Sequence, residues 1–301
     1  MEEKTPEIST EEKKKSTKNG FIILGVFGGI IALLVSAAIV GAFAPSLVPQ
    51  SSKEHIYWAN TAPGFYDENK TQIKREDGSG AGAFTIQNIG EGKNIKGQIT
   101  QIISPDKANT MVMPSMYNSV PVTIVGDTEN QNIFAKDCYF TSISKIYFKT
   151  NYEKIGKNAF ANLENLKMVS FYGKENETMT ISEKAFANTG LEEINFASSI
   201  KEIGISAFEN LSKLKTVNFA KTSLEKIHDF AFSNNTSLTQ FSLPNTVVTL
   251  GNALFKDSAL ETLNFNGTKN LWNGRFANSQ KAILEGSKVT TIHCIDGDIS
   301  L

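Results

Sequence analysis

The chain holds only three histidines and two cysteines in 301 residues, and most site chemistry needs more. His55, His228 and His293 stand far apart, and only the adjacent His293-Cys294 pair brings two ligating residue types together. Neighbours on a strand point to opposite faces, so that pair cannot grip one metal. Asp296-Gly297-Asp298 lacks the further carboxylates and the bidentate glutamate of a calcium loop and reads as a turn. No Gly-x-Ser-x-Gly nucleophile turn is present. Gly28-Gly29 and Gly78-Ser79-Gly80 lack the strand-before, helix-after setting of a nucleotide loop. A net charge of −1 gives no overall electrostatic footprint for nucleic acid. The expectation is a protein without catalytic, cofactor or metal residues, with no small-molecule substrate and no nucleic-acid partner.

Charge is missing altogether from residues 21–44, a run of 24, and about 20 apolar residues suffice to cross a bilayer. Lys13, Lys14, Lys15 and Lys18 precede the run, and the first basic residue after it is Lys53. That lysine bias places residues 1–20 in the cytoplasm as a tail and the rest of the chain outside the cell membrane. Ala42-Phe43-Ala44 has the small residues of a signal-peptide cleavage site, and a cut after Ala44 stays open. The length of the run, beyond the 7–15 residues of a signal-peptide core, favours an uncleaved, single-pass signal anchor over 21–44. No cysteine lies nearby to carry a lipid. Residues 45–80 read as an extracellular linker: they contain Pro45, Pro49 and Pro63 and run into the flexible Asp77-Gly78-Ser79-Gly80. Tyr57, Trp58, Phe65 and Tyr66 are aromatic enough to touch the bilayer surface or the first folded unit.

What the chain does have is repetition. Ile155-Gly156-x-x-Ala159-Phe160 followed by Leu166-x-x-Val169-x-Phe171 returns four times. The copies are Ile181…Phe186 with Leu191-x-x-Ile194-x-Phe196, Ile203…Phe208 with Leu214-x-x-Val217-x-Phe219, Ile227…Phe232 with Leu238-x-x-Phe241-x-Leu243, and Leu250…Phe255 with Leu260-x-x-Leu263-x-Phe265. A worn copy has Phe134 with Ile143-x-x-Ile146-x-Phe148, and a fragment survives at Arg275-Phe276. The anchor phenylalanines 134, 160, 186, 208, 232, 255 and 276 are 21 to 26 residues apart. That period is the signature of a leucine-rich-repeat solenoid, in which no copy can bury its apolar face alone. Alternation in Val-x-Phe predicts a strand buried on one face. The three- to five-residue spacing of Ile, Ala and Phe ahead of it suits a short helical turn. The fold class is therefore an α/β repeat solenoid, one short parallel strand plus one short helical turn per repeat, preceded by one transmembrane helix. Asn162, Asn188, Asn210, Asn234 and Asn278, with Asp257 in another copy, all sit two residues past an anchor. Two readings of this column stand: left-handed residues that end the turn, or an asparagine ladder. Stacking also holds Cys138 and Cys294 far beyond disulfide reach, as isolated thiols.

These motifs, with Leu243-Pro244-Asn245-Thr246-Val247 after a strand, resemble the BspA-like leucine-rich repeat proteins over about residues 81–301. Residues 113–126, Met-Pro-Ser-Met-Tyr-Asn-Ser-Val-Pro-Val-Thr-Ile-Val-Gly, are similar to that family's entry into its first repeat, and Thr291-Ile292-His293-Cys294-Ile295-Asp296-Gly297-Asp298 to its closing strand. Departures are Leu254 in place of alanine before Phe255, the long gap from Phe134 to Ile143, and Cys138 without counterparts. The organisation expected is an N-terminal cap at 81–126, with strands around Phe84-Thr85-Ile86 and Ile95 to Ile102, leucine-rich repeats at 127–280 and a C-terminal cap at 281–301. The resemblance implies adhesion to host or neighbouring-cell proteins.

A solenoid's functional surface is its extended sheet face. Two columns should point outward: Lys145, Met168, Glu193, Thr216, Gln240 and Thr262, and Tyr147, Ser170, Asn195, Asn218, Ser242 and Asn264. Tyr147 and Met168 are the large side chains there. The insertion 173–178 lengthens one turn and offers a second surface. The function expected is a membrane-anchored cell-surface module that binds an extracellular or cell-surface protein. The alternative is a structural or self-assembling component of the cell envelope.

Overall fold

Each Leu-x-x-Val-x-Phe segment is too short to be a sheet by itself, so its backbone groups must be met by the equivalent segment one copy away. The computed structural model shows this pairing. It describes residues 62–70, 72–73, 83–105, 107–126, 133–134, 142–148, 152–171, 179–196, 200–219 and 223–301, all within the compact unit Thr61–Leu301. The anticipated span at 21–44, most of the linker, Cys138 and the insertion 173–178 lie outside the described residues. Among those described, no helix is long and apolar enough to cross a membrane.

A first row of strands runs Gly64–Tyr66, Thr110–Val112, Lys145–Phe148, Met168–Phe171, Glu193–Phe196 and Thr216–Phe219 as one ladder. Gln240–Leu243, Thr262–Phe265, Thr291–Cys294 and Gly297–Ser300 form a separate one. Neighbours are parallel except at the two extremes, where Gly64–Tyr66 and Gly297–Ser300 run antiparallel. A reversed strand cannot propagate a parallel stack, so these two close the row, as solenoid ends require.

A second row, anticipated as strand only at its N-terminal members around Phe84–Ile86 and Ile95–Ile102, passes through Ala83–Ile89, Lys96–Ile103, Val120–Val125, Lys154–Ile155, Met179–Ile181, Ile200–Ile203, Lys226–Ile227 and Thr249–Leu250. It is capped by the antiparallel pair Ala83–Ile89 with Lys96–Ile103.

Between the rows, the described residues form tight turns in place of the expected helical turn, and the described part of the solenoid is mostly sheet. Five copies have two left-handed residues four apart: Asn158 and Asn162, Lys184 and Asn188, Ser206 and Asn210, Phe230 and Asn234, Ala253 and Asp257, with φ from +48° to +65°. A left-handed residue at every fourth position stops an α-helix. The backbone makes tight turns such as Ala161 N–H to Asn158 C=O, 3.1 Å, and the alternate N–H groups donate to the next copy. Thus Asn158, Phe160 and Asn162 donate to Glu183, Ala185 and Ala187, at 3.1, 2.8 and 2.9 Å. This third ladder repeats along the stack. Of the asparagine column, Asn162, Asn188, Asn210, Asn234 and Asp257 are left-handed and Asn278 is not, and the left-handed members close tight turns in place of a helical one. Asn188 Nδ2 also donates to Asn162 Oδ1 (2.9 Å) and Asn210 Nδ2 to Asn188 Oδ1 (2.8 Å). That side-chain chain lies on the exterior rather than inside.

One apolar cluster fills the space between the ladders, from Phe65 to Ile292. Its spine is two columns of rings. Phe160, Phe186, Phe208 and Phe232 stack with centroids 5.2, 5.4 and 5.5 Å apart. Phe148, Phe171, Phe196 and Phe219 stack at 4.8, 5.5 and 5.1 Å. Burying each ring contributes roughly 2–3 kcal/mol. Phe276 does not extend the first column. It lies in the helix Lys269–Phe276, inserted after the last repeat strand, and packs on Phe265 and Trp272.

Candidate interaction face

With Ile146, Val169, Ile194, Val217, Phe241 and Leu263 turned into the core, alternation turns their neighbours outward. The register brings the anticipated columns together. Lys145, Met168, Glu193 and Thr216 are successive partners, as are Tyr147, Ser170, Asn195 and Asn218. Gln240 pairs with Thr262 and Ser242 with Asn264.

Exposure divides these columns. Tyr147 is 1% and Ser170 0% exposed, and on the same side of the row Tyr66, Thr110 and Val112 are also buried. Lys145, Met168, Glu193, Asn195, Thr262 and Asn264 are half-buried, while Thr216, Asn218, Gln240 and Ser242 are exposed. In the Tyr147 column the accessible part therefore starts at Asn195, beside Glu193 in the other column, and Tyr147 is not a free contact. From there the side chains are amides, hydroxyls and one carboxylate. Asn195 Nδ2 donates to Glu193 Oε1 (2.7 Å) and Asn218 Nδ2 to Asn195 Oδ1 (2.8 Å), so the first three are held in fixed rotamers.

The face continues beyond the residues read from the sequence. Asn264 pairs with His293, His293 with Asp298, and Thr291 with Ser300. The helix insertion places His293 29 residues after Asn264 rather than one repeat, which hid the equivalence. The signal was the alternation within Thr291-Ile292-His293-Cys294: Ile292 is buried, so His293 must point outward.

The second row presents a different chemistry. Lys96 meets Glu153 at 2.6 Å, Lys157 meets Glu183 at 2.9 Å, Lys201 meets Glu225 at 3.7 Å, and His228 Nε2 lies 2.5 Å from Glu202 Oε1. These charges are matched across copies and contribute little to stability where exposed. The first row offers hydrogen-bonding groups with almost no charge.

Nothing in this geometry assembles a nucleophile, base and orienting group. His293 Nδ1 engages Asp298 Oδ1 at 2.9 Å on the outward side, while Cys294 packs against the core. Burial, with Asp296 and then Asp298 adding to it against Lys269, pushes the Cys294 thiol up and makes it a poorer nucleophile at neutral pH. Asp296 Oδ1 accepts from Lys269 N–H at 2.8 Å, holding the hairpin turn against the helix. The Tyr152 hydroxyl donates to the Pro114 carbonyl in the core, and burial raises it well above the usual phenol range. Among the described residues no three His, Cys, Asp or Glu side chains converge as metal ligands.

Solved structures to which the chain is similar include three bacterial proteins. The pneumococcal vaccine antigen PcpA is 21% identical, with 65% of this chain and 50% of that one covered and a TM-score of 0.41. The Treponema pallidum leucine rich repeat protein TpLRR is 19% identical over 60% of this chain and 68% of its own, with a TM-score of 0.39. A leucine-rich repeat protein from Bacteroides ovatus is 16% identical over 60% and 59%, with a TM-score of 0.34. The chain spans about half the length of PcpA. No curated protein matches the sequence. The pattern of the BspA type leucine rich repeat region matches in six copies, over residues 85–179 and 174–283. With about two thirds of its length accounted for by those copies, the chain belongs to the BspA type leucine rich repeat family.

Proposed function

We propose that this protein is a membrane-anchored surface protein whose repeats bind another protein, in the manner of an adhesin. The partner is an extracellular or cell-surface protein, and the docking surface is the first-row face from Glu193 to Ser300. The observation that carries the reading is the pair of in-register columns of amide and hydroxyl side chains on a sheet whose inner face is consumed by the core. Such a face has side-chain groups to offer and no chemistry to perform. Leucine-rich repeat proteins generally bind other proteins, which supports the same reading. The charge-free run at 21–44 and the lysines before it support an anchor with the N-terminus in the cytoplasm and the repeats outside.

Two measurements test this. Protease added to sealed cells should remove the repeats. Repeats that stay protected while the cells remain intact refute outward display. Purified protein presented to a panel of secreted and surface proteins should bind a restricted subset saturably. Failure to bind any, together with self-association that grows with concentration, would instead select the structural, self-assembling role.

A further inference from the structure

The first row is not one sheet. Its hydrogen-bonded ladder stops between Thr216–Phe219 and Gln240–Leu243, whereas the second row runs unbroken past the same junction through Ile200–Ile203, Lys226–Ile227 and Thr249–Leu250. The turn ladder is also intact there: Ser206, Phe208 and Asn210 N–H donate to Asp229, Ala231 and Ser233, each at 3.0 Å. One side of the solenoid is therefore open at a junction that the other sides keep closed.

The sequence accounts for the gap. Every other copy has an aliphatic residue in mid-strand and an aromatic two residues later, but here Phe241 and Leu243 exchange the order. The ring of Phe241 fits between Phe232 and Phe255, both 4.9 Å away, and meets Phe219 edge-on at 5.6 Å, so the parallel ring stack ends at Phe219. The interior is less sealed at this point. Val217 is 8% exposed where Ile146, Val169 and Ile194 are at 0%, and Phe219 is half-buried where Phe148, Phe171 and Phe196 are at 1% or less. The ladder also lacks a donor. At the next junction Asn266 N–H bonds Leu243 C=O at 3.0 Å, and the residue equivalent to Asn266 one copy earlier is Pro244, which has no N–H.

We infer that this junction is a one-sided hinge: the first-row face consists of two plates, the strands Lys145–Phe148, Met168–Phe171, Glu193–Phe196 and Thr216–Phe219 in one and Gln240–Leu243, Thr262–Phe265, Thr291–Cys294 and Gly297–Ser300 in the other, that open and close about the second row and the turn ladder. Asn235 is the latch on the turn side. It is fully buried, its Oδ1 accepts from Leu211 N–H at 2.8 Å, and its Nδ2 donates to Phe208 C=O at 3.1 Å. A partner that touches both plates fixes the hinge angle. That consequence rests on the proposed binding face; the hinge itself does not.

Amide hydrogen exchange of the full chain, resolved by residue, tests the hinge. Gln240 and Ser242 N–H, which in a continuous ladder would donate to the preceding strand, should exchange about tenfold or more faster than Glu193 and Thr262 N–H. Equal rates would overturn the hinge. Restoring the common order with Phe241→Val plus Leu243→Phe should slow Gln240 and Ser242 to the level of their neighbours. A folded double variant that leaves them fast would overturn the assigned cause. Should that variant not fold, the wild-type comparison decides alone. Failure of the binding panel with fast exchange at Gln240 would sink the proposed function and leave the hinge standing.

Discussion

Replacing Asn235 by alanine isolates a single buried amide that ties two copies together. It occupies the slot three residues past the anchor phenylalanine, where the other copies have Leu163, Thr189, Leu211 and Ser258. Thr189 and Ser258 bond within their own copy, Thr189 to Phe186 and Ser258 to Phe255 and Leu260. Asn235 alone in this column sends both side-chain bonds backward, to Leu211 and Phe208. Removing it leaves a buried N–H and a buried C=O without partners, each costing about 1–3 kcal/mol. The expected loss is about 2–6 kcal/mol, or roughly 5–20 °C in midpoint for a unit of this size. Because repeats couple mainly to their neighbours, the loss should appear first on the C-terminal side. Trp272, fully buried in that part, supplies the fluorescence probe for urea and thermal unfolding. Ser258→Ala, which removes a bond to Phe255 at 2.6 Å and a long one from Leu260 at 3.4 Å, both within its own copy, is the control and should cost about 1–2 kcal/mol. A midpoint for Asn235→Ala no lower than that of Ser258→Ala would refute the latch.

Three further outcomes follow from the same geometry. Phe208→Ala removes a ring stacked on both sides, at 5.4 and 5.5 Å, and should cost about 3–5 kcal/mol by denaturant titration; a change below that of a surface substitution contradicts the stacked spine. Asn188, at φ +58°, should tolerate glycine better than alanine by about 1 kcal/mol, since alanine resists the left-handed region; equal midpoints would contradict that backbone preference, because the side-chain ladder is lost in both. Tyr152 has a phenol pKa raised by burial, so its contribution is fully present below the unfolded value of about 10 and declines as pH rises beyond it, because the unfolded chain ionises first. Tyr152→Phe should flatten that part of the alkaline limb between pH 10 and 11, and an unchanged slope would argue against the buried neutral phenol.

The first row was legible because Leu-x-x-Val-x-Phe has both the alternation and the spacing of a stacked strand, and the outward columns followed by elimination. The second row was legible only in its long N-terminal members, Ala83–Ile89 and Lys96–Ile103, because its shortest members, such as Lys154–Ile155 and Lys226–Ile227, are two residues long and have no period to read. The helical turn was a misreading with a clear cause. Ala159 and Phe160 follow Ile155 by four and five residues, which fits a helix but fits a chain of tight turns as well. The asparagine at Asn162 and its equivalents gave half of the correction; the other left-handed position, filled by Asn158, Lys184, Ser206, Phe230 and Ala253, has no common residue type to announce it. Burial of Tyr147 and Ser170 on the outward side could not follow from alternation, which assigns a direction and not a covering. Asn235 was hidden because one polar residue in a mixed column looks like drift until its partners are seen.

The most direct test of the central claim compares two faces of one protein. Thr216→Arg with Ser242→Arg alters exposed first-row positions, and Lys201→Glu with Lys226→Glu alters the second row without touching the core. Affinity of each full-length variant for the tightest partner from the panel should fall about 100-fold or more for the first pair and stay within about threefold for the second. Loss of binding with the second pair and not the first would place the docking surface on the wrong side of the solenoid.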